Sequence, residues 1–282
     1  MGCQVLSGHR ILSWFKLFLE CVGGIAIVIG LIAVFYPSLF LLMGWIYLTI
    51  ILVVSFFYAT YKSWPKTNYT VYHSRPDTSI SLLVGDIFKQ EGHLVIGMTD
   101  TFDTEVPKII KRTSIQGQLL ENEFNNDVIR LNKELDQALI YANSEKIIDK
   151  NKTIGKNVRF PIGTVAVLGE VNKLYFCVAY SHMGNNSCAQ SSPCDLWNSL
   201  DKLWEAIRQH GQKQQVSIPV VGSDLARLTN KLSRSELVIF IILSYLSASR
   251  QCPITKKLQI IIHPKDIKGL DIGFLTDFMR SI

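Results

Sequence analysis

The chain has 282 residues, 48% of them hydrophobic, and a formal net charge of +6. That length exceeds a small domain, and the charge is spread without a long run of either sign, which excludes a nucleic-acid footprint and a charged tail. The apolar residues crowd into the first sixty positions, so the sequence divides into a membrane part and a soluble part.

Residues 17–36, LFLECVGGIAIVIGLIAVFY, carry one charge, Glu20, and residues 39–61 carry none. Each run is long enough for a bilayer span, which takes about 20 apolar residues. Only Pro37 and Ser38 separate them, so a helical hairpin is expected, with Tyr36, Tyr58, Tyr61 and Trp64 at the interfaces. Arg10 and Lys16 precede the first span, and Lys62 and Lys66 follow the second. The positive-inside rule then puts both ends, and the rest of the chain, in the cytoplasm. A cleaved signal peptide fits poorly, because a second span follows at once. Ala26 and Gly30 have the small-x-x-x-small spacing that permits close helix contact.

Residues 1–64 are thus expected to form the two-helix transmembrane region, residues 65–78, with two prolines, a linker, and residues 79–282 a cytoplasmic domain. In that domain β-like runs at 79–88, 93–99, 164–169, 173–181, 215–221 and 257–264 alternate with helix-like segments. Several runs are apolar on both faces, as a sheet covered by helices on both sides requires. The fold class is therefore a transmembrane α-hairpin plus an α/β three-layer domain with a mixed central sheet. Leu120, Phe124, Val128, Leu131, Leu135 and Leu139 mark one helix; Leu196, Leu200, Leu203 and Ile207 mark another behind an N-cap candidate at Asp195. A third opens with the capping-box spacing Ser233 to Glu236 and continues as an apolar run too short for a further span. The lysine-rich stretch 142–163 reads as a long loop.

The six cysteines lack paired short spacings, which points to free thiols in a reducing compartment. No metal site is expected: Cys188, Cys194 and His182 have no accompanying C-x-x-C. Phosphate-binding G-x-x-x-x-G-K-[ST], the G-x-S-x-G elbow, H-E-x-x-H and the kinase signatures are all missing, so no catalytic residue is assigned. What remains is a set of strand ends running into polar or glycine turns: VGDIF, GMTDTFDT, SIQGQLL and IPVVGSDLARL. In open α/β sheets ligands sit at such carboxyl ends.

SLLVGDIF, a second apolar strand with its polar loop, then VSIPVVGSDLARL, a helix and KLQIIIHP together resemble a macro domain, the ADP-ribose-binding module, over residues 79–270. The resemblance implies that Asp86 takes the adenine amino group, with Ile87 beside it. It places Thr99, Asp100, Thr101, Phe102 and Asp103 near the distal ribose, with Gln116 and Gly117 nearby. Val221, Gly222, Ser223, Asp224, Leu225 and Ala226 would wrap the diphosphate, with Arg227 either pairing a phosphate or standing solvated just beyond. The whole layout is similar to the membrane-anchored macro-domain effectors of bacterial Thoeris-type anti-phage systems. There a TIR-domain partner makes an ADP-ribose-based signal, in this branch carrying histidine, and the effector senses it. The resemblance thus implies an inner-membrane protein with two spans that forms a homo-oligomer on activation and disrupts the membrane, with no cofactor, no nucleic acid and no enzymatic role.

The first loop departs from hydrolysing macro domains, whose Asn-rich loop and glycine run are replaced by TDTFDT. Binding is therefore expected rather than hydrolysis, the alternatives being a membrane-tethered ADP-ribosyl hydrolase or a scaffold. Asp86 has a plainer reading as a turn cap, and Gly222 one as a positive-φ position. Asp100 and Asp103 near a diphosphate would repel it unless they face ribose hydroxyls or a cationic group on the ligand.

Overall fold

The computed structural model describes residues 2–35, 44–62, 68–142, 145–222 and 232–282. The chain divides into two compact units, Met1–Lys66 and Thr67–Ile282. In the first, α1 (Gly2–Phe35) and α2 (Gly44–Lys62) contain two stretches, Trp14–Phe35 and Trp45–Lys62, long and apolar enough to cross a membrane. The expected Pro37–Ser38 turn lies outside the described residues. Ile51, Ser55 and Ala59 of α2 recur every four residues and are buried, forming the stripe that meets α1. Trp14 closes one end by packing edge-on against Phe56 and donating to the Thr60 hydroxyl at 3.3 Å. Ile27, Val28, Leu31 and Ile32 of α1 remain exposed, and so do Ala26 and Gly30.

The second unit is built on a mixed sheet. Its strands are β1 (Asn68–Ser74), β2 (Asp77–Val84), β3 (His93–Thr99), β6 (Val165–Glu170), β7 (Lys173–Met183), β9 (Val216–Pro219) and β10 (Lys257–Ile262). The order is β1-β2-β10-β9-β3-β7-β6, with the short β8 (Ala189–Gln190) on the end of β7. β2, β10, β9, β3 and β7 run parallel, and β1 and β6 are antiparallel edges. Two further short strands, β4 (Ile147–Ile148) and β5 (Val158–Arg159), pair with each other.

Alternation along the strands creates the two faces. Leu174, Phe176 and Val178 of β7 enter the core with α5 (Pro193–His210), α6 (Arg234–Gln251) and α7 (Ile272–Ser281). Tyr175, Cys177 and Ala179 enter the opposite core with α3 (Ile115–Asn122) and α4 (Val128–Tyr141). The result is the expected three-layer arrangement with a mixed sheet. Trp204, fully buried in the first core, packs edge-on against Tyr245 and donates its indole N–H to Ser244.

Four local expectations change. Residues 68–74, expected within a linker, pair along their whole length with β2. The strand's side chains alternate exposed and half-buried, so it offers little apolar signal. The single helix through Leu120–Leu139 is two, because Asn125 and Asn126 adopt φ of 50° and 62°, a left-handed turn that Asn tolerates, before Asp127 caps α4. α5 begins three residues earlier than expected: Ser192 is its N-cap, Pro193 supplies the first turn, and Asp195 is the reciprocal partner of the capping box. The stretch 142–163, expected as a loop, contains β4 and β5, and Lys152, Lys156 and Arg159 within it meet the first loop. The Ser233–Glu236 capping box forms as read.

Candidate ligand-binding site

Because β2, β10, β9, β3 and β7 are parallel, their carboxyl ends lie at one edge, and the segments after them line up there. After β2, Gly85 donates its N–H to Ile262 O, and Asp86 then caps a 3₁₀ turn, Ile87–Lys89, accepting from Phe88 N–H at 3.0 Å through Oδ1. The plainer reading of Asp86 is thus realised. Its other oxygen, Oδ2, accepts nothing among the described residues, and the side chain is half-buried. Ile87 is buried in the core on the α3–α4 face, so its side chain packs rather than faces the edge.

At the end of β9, Val220 and Val221 are buried and Gly222 has φ 86°, the conformation expected for it. Ser223, Asp224, Leu225, Ala226 and Arg227 lie outside the described residues.

The first loop leaves β3 through an irregularity at Met98/Thr99, and every side chain from Thr99 to Thr104 is buried. Phe102 takes φ 47° with its ring fully buried edge-on against Phe160 at 5.6 Å. Asp103 accepts from the Thr101 hydroxyl at 2.5 Å, the Lys156 backbone N–H at 2.6 Å and the Lys152 ammonium at 3.2 Å. Lys152 and Asp103 are 0% and 1% exposed, a fully buried ion pair. Asp100 accepts from Arg159 Nη1 at 2.6 Å, Met183 N–H at 2.9 Å and, through Oδ2, contacts His182 Nδ1 at 2.9 Å. Arg159 also donates through Nε to Asp149 and through Nη2 to Met183 O, and its guanidinium holds the Asp149 carboxyl below the usual range. Gln116 of α3 donates its amide to Asp103 O, and Gly117 approaches so near the Lys111 and Arg112 carbonyls that a Cβ would lie 2.3 Å from the first.

The two acids therefore do not stand free for a cationic group on a ligand, the role expected of them. A buried carboxylate must be paired to be tolerated, and here the 149–159 segment supplies the cations. Sequence reading missed Lys152 and Arg159, and weighed His182 only as a metal ligand. The lysine enrichment of 142–163 was the available signal, but nothing in it names partners 49 and 59 residues away. Lys156 adds a buried ammonium without a hydrogen-bond partner among the described residues. Burial lowers its pKa, against the pull of Asp136 and Asp103. Among the described residues no three His, Cys, Asp or Glu side chains gather as a metal site.

Five parallel strands presenting loops at one edge, inside a three-layer unit with this strand order, define the chain's second unit as a macro domain. The family model described as Thoeris protein ThsA, Macro domain, matches residues 80–263. The chain belongs to that family. Thoeris protein ThsA of Bacillus amyloliquefaciens (strain Y2) is 24% identical over 211 residues, 72% of this chain and 69% of that protein. Among solved structures, the Oceanobacillus iheyensis macrodomain with ADP aligns over 77% of this chain and 100% of its own at 10% identity, TM-score 0.44. The same macrodomain with MES bound aligns over 76% and 96% at 10% identity, TM-score 0.42.

Proposed function

We propose that this chain is a membrane-anchored sensor-effector of anti-phage defence, whose macro domain binds an ADP-ribose-type nucleotide and whose helices then act on the membrane. The observation that carries the reading is the pairing of two features at one sheet edge within a ThsA-type macro domain. Asp86 keeps one carboxylate oxygen without a hydrogen-bond partner among the described residues at the end of β2, and Gly222 turns with positive φ at the end of β9. An uncommitted carboxylate suits the exocyclic amine of adenine, and a positive-φ glycine suits backbone N–H groups turned toward a diphosphate.

The signal is an ADP-ribose derivative, histidine-linked in the reading made from sequence, supplied by a TIR-domain enzyme. The chain acts by binding rather than hydrolysis: the first loop lacks the Asn and glycines of hydrolytic relatives, and both of its carboxylates are engaged. The two apolar helices sit in the inner membrane with the macro domain in the cytoplasm, and the exposed face carrying Ala26 and Gly30 is the contact for other copies on activation. A near-complete switch needs the ligand to favour the active state by about 5.5 kcal/mol.

The test is dye release from liposomes carrying the full chain. Release on adding an ADP-ribose-type nucleotide, and its loss in Asp86→Ala, is the expected outcome. Release that is indifferent to nucleotide removes the sensor reading.

A further inference from the structure

Glu20 stands inside the first apolar stretch, Trp14–Phe35, and no other carboxylate lies in either stretch. It is six residues beyond Trp14, about 9 Å along the helix, in a hydrocarbon layer about 30 Å thick. An ionisable side chain within a span is costly, and such residues face a bundle interior or water rather than lipid.

Glu20 is turned away from α2. Trp14, Phe18, Cys21 and Ile25 recur at three- and four-residue steps on the less exposed side of α1, where Trp14 meets Phe56 and Thr60. Glu20, Gly24, Ile27 and Leu31 recur at the same steps on another side, and all four are exposed. The Glu20 side chain is 60% exposed. A Cβ added at Gly23 or Gly24 would meet nothing within 4 Å, so the surface beside the carboxylate is open. Lys16 does not absorb the charge: its ammonium is 3.9 Å from Glu20 Oε1 and its side chain is 78% exposed. Lysine before glutamate is the weaker order at this spacing, and a lysine one turn nearer the helix end can snorkel to the headgroups.

We infer that Glu20 lines an aqueous path enclosed by several copies of α1, and that the resulting ring of carboxylates passes monovalent cations in preference to anions. The inference rests on the membrane reading above and gives its action a chemistry, selective conduction. The occupant of this face is further copies of the chain, because water held between copies solvates a carboxylate that hydrocarbon cannot. Ala26 lies about 120° round the helix from Glu20 and Gly30 about 80°, so copies packed through those residues leave the Glu20 side to the water between them. Rings of acidic side chains select cations in this way. Past the carboxylate the same side continues as Ile27, Leu31 and Val34, all exposed, an apolar stretch of the kind that gates a pore by dewetting.

Currents across planar bilayers carrying the full chain, with unequal KCl on the two sides and ADP-ribose as the probe nucleotide, test this. The potassium-to-chloride permeability ratio, read from the reversal potential, should be about tenfold or more, the enrichment a charged constriction gives its counter-ion. Glu20→Gln should bring the ratio close to one, Glu20→Lys should invert it, and Glu20→Asp should keep it. If ADP-ribose elicits current but the unsubstituted chain does not prefer potassium, or Glu20→Gln and Glu20→Lys leave the ratio unchanged, the Glu20 assignment is wrong and the membrane reading stands. No current from the unsubstituted chain with ADP-ribose overturns both.

Discussion

Two carboxylate-bearing turns stand at the same edge of one sheet, after β2 and after β3, and they are used in opposite ways. Asp86 caps a single 3₁₀ turn and has one oxygen without a partner among the described residues. Asp100 and Asp103 are almost fully buried, and each is held by three donors, including Arg159 or Lys152. The difference teaches that the density of acids in TDTFDT reports the cost of building the wall, whereas the lone acid of VGDIF is the one with capacity to spare. A carboxylate's availability is set by its burial and partners, and neither is visible in its neighbours along the chain.

The largest test of this contrast is Asp103→Ala, which strands the Lys152 ammonium in the interior. A buried pair broken on one side costs about 3–5 kcal/mol, so the urea midpoint of the macro unit should fall steeply. Replacing both partners, Asp103→Leu with Lys152→Met, should recover much of that loss, since no charge is then left uncompensated. Asp86→Ala should lower stability by only about 1 kcal/mol, the value of one cap, while weakening ADP-ribose binding in calorimetry about tenfold or more. An Asp86 variant as unstable as the Asp103 variant would erase the distinction.

The smallest effect is on pH dependence. His93 is buried at the start of β3, accepts from Leu174 N–H at Nδ1 and contacts Gly211 O at Nε2, so protonation would forfeit an acceptor; burial lowers its pKa. His73 is lowered by burial and by Arg250. The folded state therefore binds these protons less readily than the unfolded chain, and stability should be full above the ordinary imidazole value of 6.5 and decline as pH falls below it. Denaturant midpoints measured from pH 8 to pH 5 should show that slope, and His93→Gln should flatten it.

Much of the sheet was legible because its central strands are apolar on both faces: the runs at 93–99, 173–181 and 257–264 became β3, β7 and β10. β1 was not, since an edge strand with a half-exposed face and flanking prolines reads as linker. Asp195 drew attention as a cap because acids favour that place, yet Ser192 holds it and Asp195 answers from N3. Gly222 could be read in advance because a positive φ is a local property. The Asp103–Lys152 and Asp100–Arg159 pairs are tertiary, and only the folded return of the 149–159 segment brings them together.

Phe102 carries a further consequence. Its left-handed backbone and enclosed ring are held by Phe160, with Gln116 fastened to the next carbonyl, all by contacts within the protein itself. Immobilising a side chain on binding costs about 0.5–1.5 kcal/mol, and a wall already fixed at folding avoids that loss. A ligand bound against this loop, as proposed above, would meet a preorganised surface, and its affinity there would be gained without ordering the protein that receives it.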